Sequence, residues 1–89
     1  MRLEDTVNMM KSEDFKERFK AEYYQLRIRQ NKLSNMLMDL AEGKLHFTPK
    51  CPKSLLMKQC AIMEDYITVL EARAAIEGVD LTLEEEKGN

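Results

Sequence analysis

The chain has no tryptophan, a single histidine (His46), two cysteines, two prolines and three glycines in 89 residues. So few glycines and prolines leave little punctuation for the tight turns of an all-β fold. Cys51 and Cys60 form no Cys-x-x-Cys pair and have no histidines nearby, which excludes a structural zinc site and a multi-disulfide framework. The glycines stand isolated at 43, 78 and 88, so there is no Gly-rich phosphate loop. No apolar run approaches the ~20 residues of a transmembrane helix. The start, Met1-Arg2-Leu3-Glu4-Asp5, mixes acids into a stretch without an apolar core, which predicts no signal peptide. What remains is 44% hydrophobic and 34% charged residues, the balance of a globular, soluble, cytoplasmic chain. A domain this short buries only ~60–65% of its unfolded surface, so oligomerisation is the expected supplement to its core.

The net charge of −2 is unevenly spread: residues 1–50 carry +2 and residues 51–89 carry −4. The densest basic stretch, Lys16 to Lys32, holds six Lys/Arg against two Glu. That is too modest for a dedicated duplex-binding domain, which shows a clearly basic balance, but enough to hold a few phosphates if the charges converge. The Glu84-Glu85-Glu86 run reads as a solvated tail.

Two places punctuate the chain. Glu42-Gly43-Lys44 ends one helical pattern, and Thr48-Pro49-Lys50-Cys51-Pro52 opens the next. Ser12 is the expected N-cap of the first long helix, with Glu13 and Asp14 favoured by the helix dipole in its first turn. Phe15, Phe19, Tyr23, Leu26, Leu33, Leu37 and Leu40 then form one apolar stripe, with Gly43 near the C-terminal cap. Leu3, Val7 and Met10 share that spacing and predict a short leading helix. After Pro52, Leu56, Cys60, Met63, Ile67, Leu70 and Ala74 make a second stripe, and Leu55, Ile62, Val69 and Ile76 extend it to another side. A helix apolar on two sides needs two covers: a hairpin partner for one, another subunit for the other. The expected fold is a single all-α domain: a short helix over 3–11, a long antiparallel helical hairpin of 13–41 and 53–77 joined by a loop over 42–52, and a tail over 79–89, assembled as a homo-oligomer.

Enzymatic chemistry finds little support. His46 sits in the inter-helix loop, with no nucleophile and acid arrangement to argue around it. Cys60 lies on the apolar stripe and reads as a small buried hydrophobe of a reducing compartment, while Cys51 is open to either role. Asp14 and Arg18 read as ordinary i,i+4 helix support. Neither catalysis nor a metal or other cofactor is expected. A binding surface is the better prospect: Arg29 and Lys32 project on one side of the first helix, near Ser34, and Phe15, Phe19, Tyr23 and Tyr24 lie on the same helix. Phosphates take cationic donors and hydroxyls, and bases take flat apolar faces.

The run Glu22-Tyr23-Tyr24-Gln25-Leu26-Arg27-Ile28-Arg29-Gln30-Asn31-Lys32-Leu33 is similar to a pattern Glu-Tyr-x-x-Leu-x-x-Arg-x-x-Lys-Leu, and Leu56, Gln59, Met63, Tyr66, Val69, Leu70 and Arg73 match its partner pattern. In this order, with a short proline-containing connection, the two runs resemble the small helical phage proteins that act as sponges for cyclic oligonucleotides, the anti-CBASS sponge family, over about residues 13–76. The resemblance implies a homohexamer that works in the host bacterial cytoplasm during infection. It would bind cyclic dinucleotides between subunits and, in related members, cyclic trinucleotides at separate sites. The activity implied is sequestration without cleavage, which blocks bacterial immune signalling. By the same resemblance Lys32 pairs with a phosphate of the cyclic dinucleotide and Phe15 stacks on a base, Phe19 being the alternative aromatic; Arg29 joins Lys32 as a candidate through its spacing on the helix. Ser34 and Arg73 fall on the cyclic trinucleotide positions. No membrane, DNA or RNA partner is implied. Two other readings stand beside this one: a helical hairpin that binds a host or phage protein through its Met-rich faces, and a weak nucleic-acid binder using Lys16–Lys32, against which the acidic second half argues.

Overall fold

The computed structural model describes residues 1–82. Among the described residues all regular structure is helical: a 3-10 turn Leu3–Thr6 runs into α1, Val7–Met10, followed by α2, Phe15–Ala41, and α3, Lys53–Glu77. The Glu84-Glu85-Glu86 run lies outside the described residues.

α2 begins two residues later than Ser12 suggests. Asp14 is its N-cap, and the Asp14 carboxylate accepts from the Lys16 amide at 2.9 Å. A carboxylate there satisfies an orphan amide and meets the positive end of the helix dipole, so it takes the cap from the neutral serine. The Ser12 hydroxyl accepts from the Asp14 amide instead, and Arg18, expected to pair with Asp14, donates to the Ser12 carbonyl at 2.8 Å. Both long helices end through left-handed glycines. After α2, Gly43 has φ +73° while the Lys44 amide reaches back to the Asp39 carbonyl. After α3, Gly78 has φ +71° while the Val79 amide reaches the Ala74 carbonyl. This is the Schellman arrangement, which satisfies carbonyls that the helix leaves open.

Cross-helix contacts run in opposite senses along α2 and α3. Tyr66 donates to Glu22, Tyr23 to Glu71, and Gln30 to Glu64 and, at 3.5 Å, to the Cys60 sulfur. The packed core gathers at one end, where Phe19, Tyr23, Tyr24 and Leu26 of α2 meet Ile67, Leu70 and Ala74 of α3 and Val79 beyond it. Met1, Met9, Met63 and Leu81 close over this cluster. The N-terminal segment is pinned to α2 through Thr6, which is wholly buried: its hydroxyl donates to the Leu3 carbonyl and accepts from Gln25. At the other end the helices are looser, and Leu33, Leu37, Leu40 and Leu56 are only half-buried. The result is 42 Å long and 24 Å across. The second apolar side of α3, carrying Leu55, Ile62, Val69 and Ile76, is left exposed by the other described residues.

Candidate functional site

The cations of α2 divide into those engaged within the chain and those turned outward. Lys20 faces Glu17, and Arg27 reaches both the Tyr23 hydroxyl and the Glu71 carboxylate. Arg29 and Lys32 are exposed, and neither enters an ion pair or hydrogen bond described among residues 1–82. Helix geometry explains the division. Gln30 points at α3, and at 100° per residue the Lys32 side chain leaves the helix about 160° away from it. Arg29 lies one turn before Lys32, so the two ammonium and guanidinium groups share the face turned away from α3. Such a face can take phosphate oxygens without first breaking an internal ion pair.

At the core end, the aromatics expected on α2 take different roles. Phe19 is inside the core, with the Arg73 guanidinium of α3 lying 4.9 Å from its ring centre. Phe15 meets Phe19 edge-on at 5.9 Å and keeps an open face, at 42% exposure. Of the two, Phe15 is therefore the ring that can stack on a planar ligand. Arg73 is also held by Glu77 on its own helix, with Nε and Nη2 each 3.2 Å from one carboxylate oxygen. Tyr66 stands near it, exposed and donating to Glu22. That bond to a carboxylate, ahead of partial burial, raises the Tyr66 hydroxyl above its ordinary pKa. Phe19 thus has the open ring of Phe15 against it and the Arg73 guanidinium over it, and Tyr66 lies two turns before Arg73 on α3.

Ser34 lies elsewhere. It lines a groove of about 490 Å³ between the looser ends of α2 and α3, with Gln30, Leu37, Met57, Cys60 and Glu64 among its walls. Cys60 is half-buried there, Cys51 is exposed, and His46 is exposed in the connecting loop.

The candidate residues are not gathered in one place within a chain. Phe15 and Lys32 are separated by about 25 Å along α2. Ser34 is displaced by about 20 Å from the level of Phe19, where Arg73 sits. Within one chain neither pair can close on a small ring-shaped ligand. What the structure does bring together, Arg73 with the Phe15–Phe19 pair, crosses the two sets. The sequence carried a signal for this pairing, since an antiparallel partner places the end of α3 beside the start of α2. Spacing along one helix does not reveal it. The Arg27–Tyr23–Glu71 network was also missed, because Arg27 reads as one more surface cation until Glu71 is placed beside it.

A family model described as Sequestin matches residues 13–76, well over half of the chain, taking in all of α2 and nearly all of α3. No curated protein and no solved structure matches the chain.

Proposed function

The chain belongs to the Sequestin family, whose name denotes a sequestering role, and we propose that what it sequesters is cyclic oligonucleotide second messengers. It holds cyclic dinucleotides, and cyclic trinucleotides at separate positions, without cleaving them. In a phage-infected bacterial cytoplasm this withholds the messenger from immune effectors. The observation that carries the reading is the outward face of α2, where Lys32 and Arg29 stand exposed and unengaged among the described residues. Lys32 takes a phosphate, Phe15 stacks on a base, and Ser34 and Arg73 serve the trinucleotide position. In this reading each pocket is completed by a second copy, in keeping with the homohexamer implied by the resemblance; the wide spacing of these residues within one chain supports it. A sponge needs rigid, preorganised donors and no reacting group, because tight binding is its whole activity.

The exposed apolar side of α3 supports a second reading, docking of a host or phage protein. A thermal-shift panel of cyclic di- and trinucleotides, with linear dinucleotides as controls, separates the two. At a hundredfold excess over Kd a bound ligand adds ~2.7 kcal/mol of apparent stability, a large shift for a small domain. The sponge reading expects a shift specific to cyclic ligands, ligand recovered intact, and no dinucleotide shift in Lys32→Ala or Lys32→Glu. A flat panel overturns it, and ligand recovered as linear product overturns sequestration without cleavage.

A further inference from the structure

Gln30 is a polar side chain only 7% exposed, and it lines two concavities at once. The groove of about 490 Å³ that holds Ser34 and a polar one of about 270 Å³ share Gln30 and Glu64, so they meet as one furrow between α2 and α3. The Gln30 amide nitrogen donates to a Glu64 carboxylate oxygen at 2.7 Å and to the Cys60 sulfur at 3.5 Å. Among the described residues its carbonyl oxygen accepts no hydrogen bond, and the second carboxylate oxygen of Glu64 accepts none either. A side chain this enclosed ordinarily has a donor for its acceptor.

Beside these acceptors the larger groove turns apolar, with Leu37, Met57 and Ala61 in its walls. Lys53 lines it too, eleven residues and about 16 Å before Glu64 along α3, and enters no ion pair among the described residues. The furrow thus asks for N–H donors at one end, a flat apolar body along its walls and an anion at the other end. A guanine nucleotide has this chemistry. Guanine presents N1–H and the N2 amino group side by side, which a carboxylate oxygen and its neighbouring acceptor can take together. Adenine and cytosine set a ring-nitrogen acceptor beside their amino group, and uracil flanks its one N–H with two carbonyls. Each of those edges turns an acceptor toward the Glu64 carboxylate.

We propose that this furrow reads a guanine base, with Glu64 and Gln30 accepting from its edge and Lys53 taking its phosphate, and that this rests on the proposed function in one respect only: the guanylate is part of a cyclic trinucleotide held at Ser34. The Ser34 hydroxyl stands one turn after Gln30 on α2, in the same groove. Gln30 and Glu64 then decide which base that position accepts.

The test sets guanosine monophosphate against adenosine monophosphate at millimolar concentration, read by the side-chain amide resonances of isotope-labelled protein. The guanine nucleotide is expected to shift the Gln30 side-chain pair and the adenine nucleotide to leave it in place. Glu64→Gln keeps a carbonyl partner for the Gln30 amide, so its helical circular dichroism is expected to persist while the shift is lost. Lys53→Ala replaces an exposed residue and is expected to weaken the guanine nucleotide without changing the preference for it. No shift at Gln30, an equal response to both nucleotides, or an undiminished response in either variant overturns the proposal. Calorimetry with cyclic trinucleotides is a separate readout. A ring carrying one guanine is expected to bind about tenfold or more tightly than the all-adenine ring, a margin lost in Glu64→Gln. If neither ring binds while guanosine monophosphate shifts Gln30, the sponge reading fails at Ser34 and the furrow stands. If both rings bind alike and Gln30 does not respond, the furrow fails and the sponge reading stands.

Discussion

Tyr23 shows how a single side chain joins core to surface. Its ring is buried among Phe19, Leu70 and Ala74, while its hydroxyl donates to Glu71 at 2.7 Å and accepts from Arg27 at 2.8 Å. Burial first, and then the bond to Glu71, raise its pKa above the ordinary 10, with Arg27 acting in the opposite direction. A tyrosine held neutral in this way contributes its full stabilisation below about pH 10 and loses it as pH rises through the raised value. Tyr23→Phe is therefore expected to cost about 1 kcal/mol at neutral pH, the worth of its hydrogen bonds. It should also flatten the loss of stability above pH 10, read by urea midpoints at each pH; an unchanged alkaline slope would remove Tyr23 as its source. Leu70, almost fully enclosed, should cost about 2–5 kcal/mol on truncation to alanine, as buried leucines do. Lys32→Ala, by contrast, should leave the melting temperature of the free protein unchanged while abolishing the shift by cyclic dinucleotides.

Helix ends and faces were the most legible features of the sequence, and the reasons are local. The glycines of Glu42-Gly43-Lys44 and at position 78 announce helix ends because few other residues tolerate positive φ, and both adopt it. Gly43→Ala meets no neighbouring atom, and Gly78→Ala meets only the flexible end of Lys16 at 3.8 Å. Each should therefore cost about 1 kcal/mol from backbone strain alone, measured by thermal unfolding, and a much larger loss would point to an unseen packing role. The N-cap was less legible because Ser12 and Asp14 are both good caps, and the choice depends on where the chain turns off α1. Asp14→Ala should cost about 1 kcal/mol and Ser12→Ala less. The two apolar sides of α3 could be read from spacing, since hydrophobic period is a property of one helix. Which α2 residues face α3 at which level could not, because register depends on tertiary contacts such as Gln30 with Glu64. For that reason Phe15 and Phe19 looked equivalent in sequence, whereas one is a core residue and the other keeps an open ring.

On the scale of the whole molecule, the chain is a narrow body whose core occupies one end, with its candidate ligand groups spread along its length. Phe15 and Lys32 lie about 25 Å apart on α2, and a cyclic dinucleotide cannot bridge that distance within one chain. The proposed function therefore couples binding to assembly: in it the subunit alone offers fragments of a pocket, and copies packed together complete it. Binding that requires the oligomer also stabilises the oligomer, so ligand should raise the proportion of assembled protein at low concentration. Native mass spectrometry of the protein with and without a cyclic dinucleotide tests this most directly. The expected result is ligand mass on an oligomer and none on the monomer, with the ligand released intact on denaturation. Stoichiometric ligand on the monomer would contradict pockets shared between subunits, and no ligand on any species, or a linear product in its place, would contradict sequestration itself.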